Sequence, residues 1–305
     1  MSAREELFDR LKHLESAIKL TSLIDEGIAL STHNGVANLL RKGLGIVAFN
    51  ILEDYVKNRS YEALDHLSKS SVRFEKLTDE LQSAALSNAL SGLLQKSKSL
   101  KRDRGNWKEL IQDETLIIHS TKNDHYKLSN LSFFSTTSNI SAQDVSDLLK
   151  AFGIDGGWSR MKSTSDAFGG GVLDLCQSYN NAAARRHSAA HGANFRYEYQ
   201  WLLDIKDEIL AICASLDVLL EARCRQISND LGKRINDHSI ERALKFRFLE
   251  KYEGKYRETL KVGGKARKLW PSDTSAIVSL SPKLARNDEF LFILDESKRV
   301  LHWRT

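Results

Sequence analysis

The run Asn180-Asn-Ala-Ala-Ala-Arg-Arg-His-Ser-Ala-Ala-His-Gly192 concentrates two guanidinium groups and two imidazoles in one short stretch. His187 and His191 are four residues apart, which on a helix sets them on one face, and Arg186 has the reach to join them from the side. The alanines between are too small to screen these groups. Gly192 fits a helix stop, placing His191 beside unpaired carbonyls, where the helix dipole favours imidazolium. A cationic pocket that can donate a proton and contains no carboxylate suits a phosphodiester better than a peptide or a metal.

Spacing alone does not make this a site. The chain has 9 histidines, and Arg59 with His66 repeats the pattern at slightly wider spacing. Other chemistries find less support. Gly169-Gly-Gly171 is not followed by Lys-Ser/Thr, and no HExxH, GxSxG or calcium-loop pattern occurs. His119 and His125 lie too far apart on weakly patterned chain to argue for a metal. Cys176, Cys213 and Cys224 form no CxxC pair, so neither a disulfide framework nor a thiolate metal site is indicated. No metal and no cofactor is implied.

The elements that must position the cluster read as helices. With 305 residues, 41% apolar, 28% charged and a net charge of +5, the chain has a globular rather than disordered balance. Its 2 prolines are Pro271 and Pro282, which permits long unbroken helices before them. No stretch approaches the roughly 18 apolar residues of a bilayer span, and Met1-Ser-Ala-Arg-Glu-Glu lacks a signal-peptide core. The expected setting is a reducing cytoplasm, away from membranes.

Residues 2–27 read as an amphipathic helix through Leu7, Leu11, Leu14, Ile18 and Leu23. Val36, Leu40, Leu44, Val47, Ile51 and Tyr55 then predict a central helix, its apolar face widened by Leu39, Ile46, Phe49 and Leu52. Residues 72–94 supply another. The basic run 96–104 reads as a solvated loop, Thr115-Leu-Ile-Ile-His119 as a short strand, and the Ser/Asn/Thr-rich chain beyond it to 138 as loop. Ser141 caps a short helix over 142–152. Residues 172–191 form the helix bearing the cluster, and 195–227 the clearest helix of all, through Leu202, Ile205, Ile209, Ile212, Leu216 and Leu219. A further helix is expected near 239–261, and residues 290–294 and 299–303 resemble two strands and a turn.

Arg186-His-x-x-x-His191 resembles the Arg-polar-x-x-x-His signature of HEPN domains, closed by Gly192 and followed by a long last helix as in many bacterial members. Leu40-Arg-Lys-Gly-Leu-Gly-Ile-Val-Ala-Phe-Asn-Ile-Leu-Glu-Asp-Tyr-Val56 is similar to the opening helix of RiboL-PSP-type and related HEPN subfamilies. Residues 144–153, followed by Trp158, resemble their middle segment. The likeness spans roughly residues 31–227.

This resemblance implies an all-α, HEPN-like helical bundle with a small C-terminal helix and β-hairpin appendix. The boundaries expected are 1–30 for an N-terminal helix packing on the bundle, 31–230 for the nuclease domain and 231–305 for the C-terminal region. It also implies a metal-independent endoribonuclease that leaves a 2′,3′-cyclic phosphate, with Arg186 stabilising phosphoryl charge and His191 moving the proton. A homodimer with a composite active site is expected, since one Arg and one His are thin provision for two proton transfers. His187 stands at the motif's variable polar position, either bonding across the dimer or carrying a second proton. Arg185, Asn181 and Asn194 are weaker candidates for RNA contact, and Glu53 for orienting Arg186. A toxin or anti-phage effector with an antitoxin or regulatory partner fits this picture. The alternatives are a non-catalytic RNA-binding or partner-docking module, using the 96–104 run and a basic aromatic helix over 242–252, and a structural bundle whose motif is accidental.

Overall fold

Ser2 Oγ accepts the Glu5 amide at 3.2 Å, and the Glu5 carboxylate accepts the Ser2 amide at 2.8 Å. This reciprocal cap opens α1 (Ala3–Ile18). The computed structural model describes residues 1–27, 29–135, 139–229 and 240–305. Leu7, Leu11, Leu14 and Ile18 are buried, as their spacing predicts. The helix stops at Ile18 rather than near Gly27, and Leu23 is buried from a separate 3-10 turn, Thr21–Leu23.

The long helix α2 (Ser31–Ser68) departs from its predicted facing. Ala37, Ala48, Phe49, Leu52 and Val56 point inward, together with Arg41 at 5% exposure. Val36, Leu39, Leu40 and Val47 are 51%, 67%, 42% and 45% exposed. Periodicity locates an apolar stripe but not what it faces, and here the inward place is taken by small residues and a hydrogen-bonded arginine. By length and composition α2 is also apolar enough to cross a bilayer, with a mean hydropathy of 1.2 over 18 residues. That amends the sequence expectation; the helix mixes Ala and Gly with few charges instead of presenting one unbroken apolar run.

Next come α3 (Asp79–Ser83), a π-helical turn over Ala84–Asn88, α4 (Ala89–Arg102) and α5 (Trp107–Ser120). Two expectations fail here. The basic run expected as a loop forms the last turns of α4, because nothing interrupts the helix before Gly105, whose amide closes on Leu100 O at 2.7 Å. The strand expected at Thr115–His119 lies inside α5: the β-branched Ile117 and Ile118 are overruled by the helical run around them. The chain beyond α5 is mostly irregular to Ser141, apart from a 3-10 turn over Asn130–Ser132; residues 136–138 of that expected loop lie outside the described residues. Ser141 and Asp144 form a second capping box on α6 (Ala142–Ala151), with Val145, Leu148 and Leu149 buried as predicted. Helices α7 (Gly157–Phe168), α8 (Leu175–His191) and α9 (Tyr199–Asn229) follow.

The C-terminal region holds more sheet than the expected hairpin. After the single turn α10 (Ile240–Ala243) come β1 (Lys245–Tyr252), β2 (Lys255–Thr259), β3 (Lys268–Trp270), α11 (Asp273–Asn287), β4 (Glu289–Leu294) and β5 (Val300–Arg304). They form one five-stranded sheet in the order β3-β2-β1-β4-β5. The helix expected near 239–261 is therefore a hairpin, with residue 239 outside the described residues. Glu253 (φ 49°) and Gly254 (φ 73°) make its two-residue left-handed turn, pairing Tyr252 with Lys255. Leu249, Trp270, Ala276, Leu280, Leu284, Leu291 and Ile293 build an apolar cluster of the sheet and α11, so this part has a core of its own.

The chain divides into two compact units. One comprises Met1–Val56, Met161–Leu216 and Phe246–Thr305; the other comprises Lys57–Arg160 and Asp217–Lys245. In the first unit, buried Arg247 pairs with Glu258 and with Glu289 at 2.6 Å. The second is tied by Arg59, which donates to Asp217 at 2.5 Å and Glu221 at 2.8 Å, and by Arg223, which donates to the Phe152 and Gly153 carbonyls at 2.8 and 2.6 Å. Arg59 and His66 are thus structural: His66 Nε2 lies 3.1 Å from Ser228 Oγ.

Candidate active site

Asp174 starts α8 by accepting the Gln177 amide at 2.9 Å. Leu175, Ser178, Tyr179 and Ala182 form its buried stripe. Steps of three and four carry that stripe to Arg185 and Arg186, both half-buried, while His187 and His191 stand on the exposed side. The two imidazole centroids are 4.8 Å apart and tilted by 51°. The predicted pair is therefore assembled and open to solvent.

The arginines take separate surroundings. Arg185 lies over the Trp201 ring at 4.5 Å, a cation–π contact. Trp201 in turn stacks on Phe195 at 6.2 Å and meets the edge of Tyr197 at 5.5 Å. Arg186 Nε is buried and, among the described residues, has no hydrogen-bond partner, so Glu53, half-buried on α2, does not orient that nitrogen. Around the helix Arg186 is about 140° from His191, and one chain does not bring them onto a common face. Asn181 is held by Gln177, whose amide donates to it at 2.7 Å. Asn194 is exposed just past the helix end.

Gly192 ends α8 by donating to Ser188 O at 2.8 Å. A Cβ here would lie 2.7 Å from that same carbonyl, so glycine suits the stop. The carbonyls beyond it are not left open. Lys42 of α2 donates to Gly192 O at 2.8 Å and to Ala193 O at 3.3 Å. Asn38 donates to Phe195 O at 3.1 Å and accepts the Tyr197 amide at 2.8 Å. Arg41 Nε donates to Tyr197 O at 2.7 Å, and its guanidinium also holds Leu23 O and Asp25. A Cβ on Gly45 would come within 2.2 Å of the Tyr197 ring, so only glycine lets that ring seat.

Asn38, Arg41, Lys42 and Gly45 follow helical i, i+3, i+4, i+7 spacing and together strap residues 192–197 onto α2. Sequence reasoning missed this face. The spacing was visible, but three polar residues and a glycine among apolar neighbours look like surface. Glu208 of α9 was missed as well. It is half-buried, burial raises its carboxyl above the usual range against the opposing charge of Arg185, and its Oε2 is buried without a partner among the described residues.

The family described as RiboL-PSP-HEPN matches residues 5–222. The chain belongs to the RiboL-PSP HEPN family. No curated protein and no solved structure matches the chain significantly. The HEPN match takes in α1 through most of α9, hence the cluster on α8 and the strap on α2, and stops short of the C-terminal sheet. HEPN domains are commonly RNases. Among the described residues of this HEPN chain no group of three His, Cys, Asp or Glu is placed to hold a metal ion.

Proposed function

We propose that this HEPN chain is a metal-independent endoribonuclease acting as a homodimer with a composite active site. The observation that carries the reading is the exposed His187–His191 pair at the end of α8, on the same helix as Arg185 and Arg186 and with Lys42 bonded to the Gly192 carbonyl, in a chain of this family. The ribose 2′-hydroxyl attacks the adjacent phosphorus, forming the 2′-O–P bond while the P–5′-O bond breaks. One imidazole removes the 2′ proton and a second, protonated, gives one to the departing 5′-oxygen. Products are a 2′,3′-cyclic phosphate and a 5′-hydroxyl. Guanidinium donors stabilise the phosphoryl oxygens as charge builds there.

Two features favour two copies. Arg186 and His191 diverge around α8, so a second chain is the source of a facing cation. The exposed Val36, Leu39, Leu40 and Val47, grouped around Gly43 on the side of α2 away from its strap, offer an apolar contact surface. The biological role that fits is a toxin or anti-phage effector of the cytoplasm, with an antitoxin or regulatory partner to restrain it. The domain limits that fit are 1–30 for the packing helix, 31–230 for the nuclease and 231–305 for the appended region.

The test is total RNA incubated with the protein in EDTA. Cleavage with cyclic-phosphate ends that vanishes in Arg186→Ala and His191→Ala supports the reading; cleavage unaltered by either substitution removes it. The divergence of Arg186 from His191 equally favours a non-catalytic RNA-binding or partner-docking module, which salt-sensitive binding without cleavage would reveal.

A further inference from the structure

A second cationic site lies in the region that the family match leaves uncovered. A cleft of about 770 Å³ is lined by Lys261, Lys265, Arg267, Lys268 and Lys283, with Glu258 its sole carboxylate. That carboxylate does not neutralise them: Glu258 is 4% exposed and is bound by Arg247 and, at 3.2 Å, by Trp270 Nε1. The cleft therefore has an unbalanced positive field inside a concave wall, where such a field is focused.

The loop between β2 and β3 that carries most of these cations is held in shape. Glu250, fully buried in β1, accepts the Gly263 amide at 2.6 Å and Thr259 Oγ1 at 3.2 Å, and is charge-paired with Arg257 at 2.6 Å and Lys298 at 2.8 Å. Gly264 closes on Lys261 O at 2.9 Å, and the Arg267 amide donates to Glu258 O at 2.8 Å. Lys268 packs over Trp270 at 3.7 Å. Two buried carboxylates thus shape a loop whose outward groups are cations. Leu260 and Leu269, 41% and 56% exposed, add apolar surface beside it.

We infer that this cleft is a phosphate-backbone grip for single-stranded RNA, separate from the cluster on α8 and serving to hold the substrate chain. The choice of RNA as the polyanion rests on the nuclease reading; the anion grip itself does not. Successive phosphates suit several mobile ammonium groups around one guanidinium, and cations reading a backbone confer affinity without base preference.

The experiment measures binding apart from cleavage. A fluorescent 2′-O-methyl RNA oligonucleotide, which has no attacking hydroxyl, is titrated by anisotropy over a salt series. The proteins are the full chain, Lys265→Glu/Arg267→Glu, and the charge-matched control Lys12→Glu/Lys122→Glu, with thermal melts to establish folding. The cleft variant is expected to bind roughly tenfold more weakly, with the slope of log K against log salt reduced by about 0.7 for each phosphate that the cleft no longer neutralises. The milder Lys265→Gln/Arg267→Gln should shift in the same direction by less. Equal affinities and slopes for the cleft and control variants overturn the inference, as does retention on anionic-lipid vesicles in place of RNA. Loss of binding in the cleft variant, when the wild type cleaves no RNA, sustains the grip and removes only the nuclease reading.

Discussion

Lys42 Nζ lies 2.8 Å from the carbonyl oxygen of Gly192, so a cation of α2 caps the end of the helix that carries His191. The bond fixes the chain just beyond the imidazole and adds positive charge at the same place.

Replacing Lys42 with an uncharged side chain removes both effects at once. Lys42→Met is expected to lower RNA cleavage at least tenfold while reducing the melting temperature by only a few degrees, since one charged hydrogen bond contributes about 1.5–3 kcal/mol. Lys42→Arg should restore much of the activity. Full activity in Lys42→Met would show that the strap does not position the site.

The two imidazoles should be unequal. His191→Ala is expected to lose about 10²–10⁴-fold in rate, the span of a positioned acid or base. His187→Asn should stay within about tenfold of the wild type, because the motif position tolerates a polar amide. Initial rates on a short RNA compare them directly, and a greater loss at His187 would exchange their roles.

Gly45 gives a steric test. Its added methyl would meet the Tyr197 ring at 2.2 Å, so Gly45→Ala should cost about 1–3 kcal/mol by overpacking. Combining it with Tyr197→Leu should recover part of that loss. Simple additivity of the two losses in urea denaturation would argue against the clash.

Asp217 is 2% exposed and Arg59 5%. Asp217→Ala removes the shorter of the two carboxylate bonds to the buried guanidinium, leaving Glu221 at 2.8 Å, and should cost about 1–3 kcal/mol. The double variant Arg59→Met/Asp217→Leu should be less damaging than the single one, which chemical denaturation will show.

His302 supplies a pH dependence. Burial, followed by the nearby positive charges of Arg4 and Arg304, pushes its pKa down from 6.5 to about 4. The unfolded chain therefore binds a proton more readily than the folded one, and stability falls as pH drops from about 6.5 toward 4. His302→Phe keeps an aromatic ring against Phe8, whose centroid is 4.1 Å from the imidazole, and should flatten the loss between pH 6.5 and 5. An unchanged profile in that variant would assign the effect elsewhere.

Several helices were legible because their signals are local. The cap at Ser141, the stop at Gly192 and the spacing from Leu202 to Leu219 each follow from a few neighbouring residues. The facing of α2 was not, because a stripe of Val36, Leu40 and Val47 has the same period whether it meets a core or solvent. The strands β1 and β2 were missed for a related reason. Lys245-Phe-Arg-Phe-Leu-Glu-Lys-Tyr252 mixes cations and apolar groups in a way that fits either period, and its decisive sign is the Glu253-Gly254 turn. At the site, the imidazole pair could be read from spacing. Lys42 could not, since its partner lies 150 residues away in sequence.

The order β3-β2-β1-β4-β5 leaves two margins. One ends after the three residues of β3, with Lys268 projecting from it. The other belongs to β5, where Phe8 stacks on His302 and Arg4 donates to Thr305 at 2.8 Å. A stub bearing an ammonium group, and a border already engaged by the first helix, make poor templates for an incoming strand. Concentrated preparations should therefore resist fibre growth through this layer.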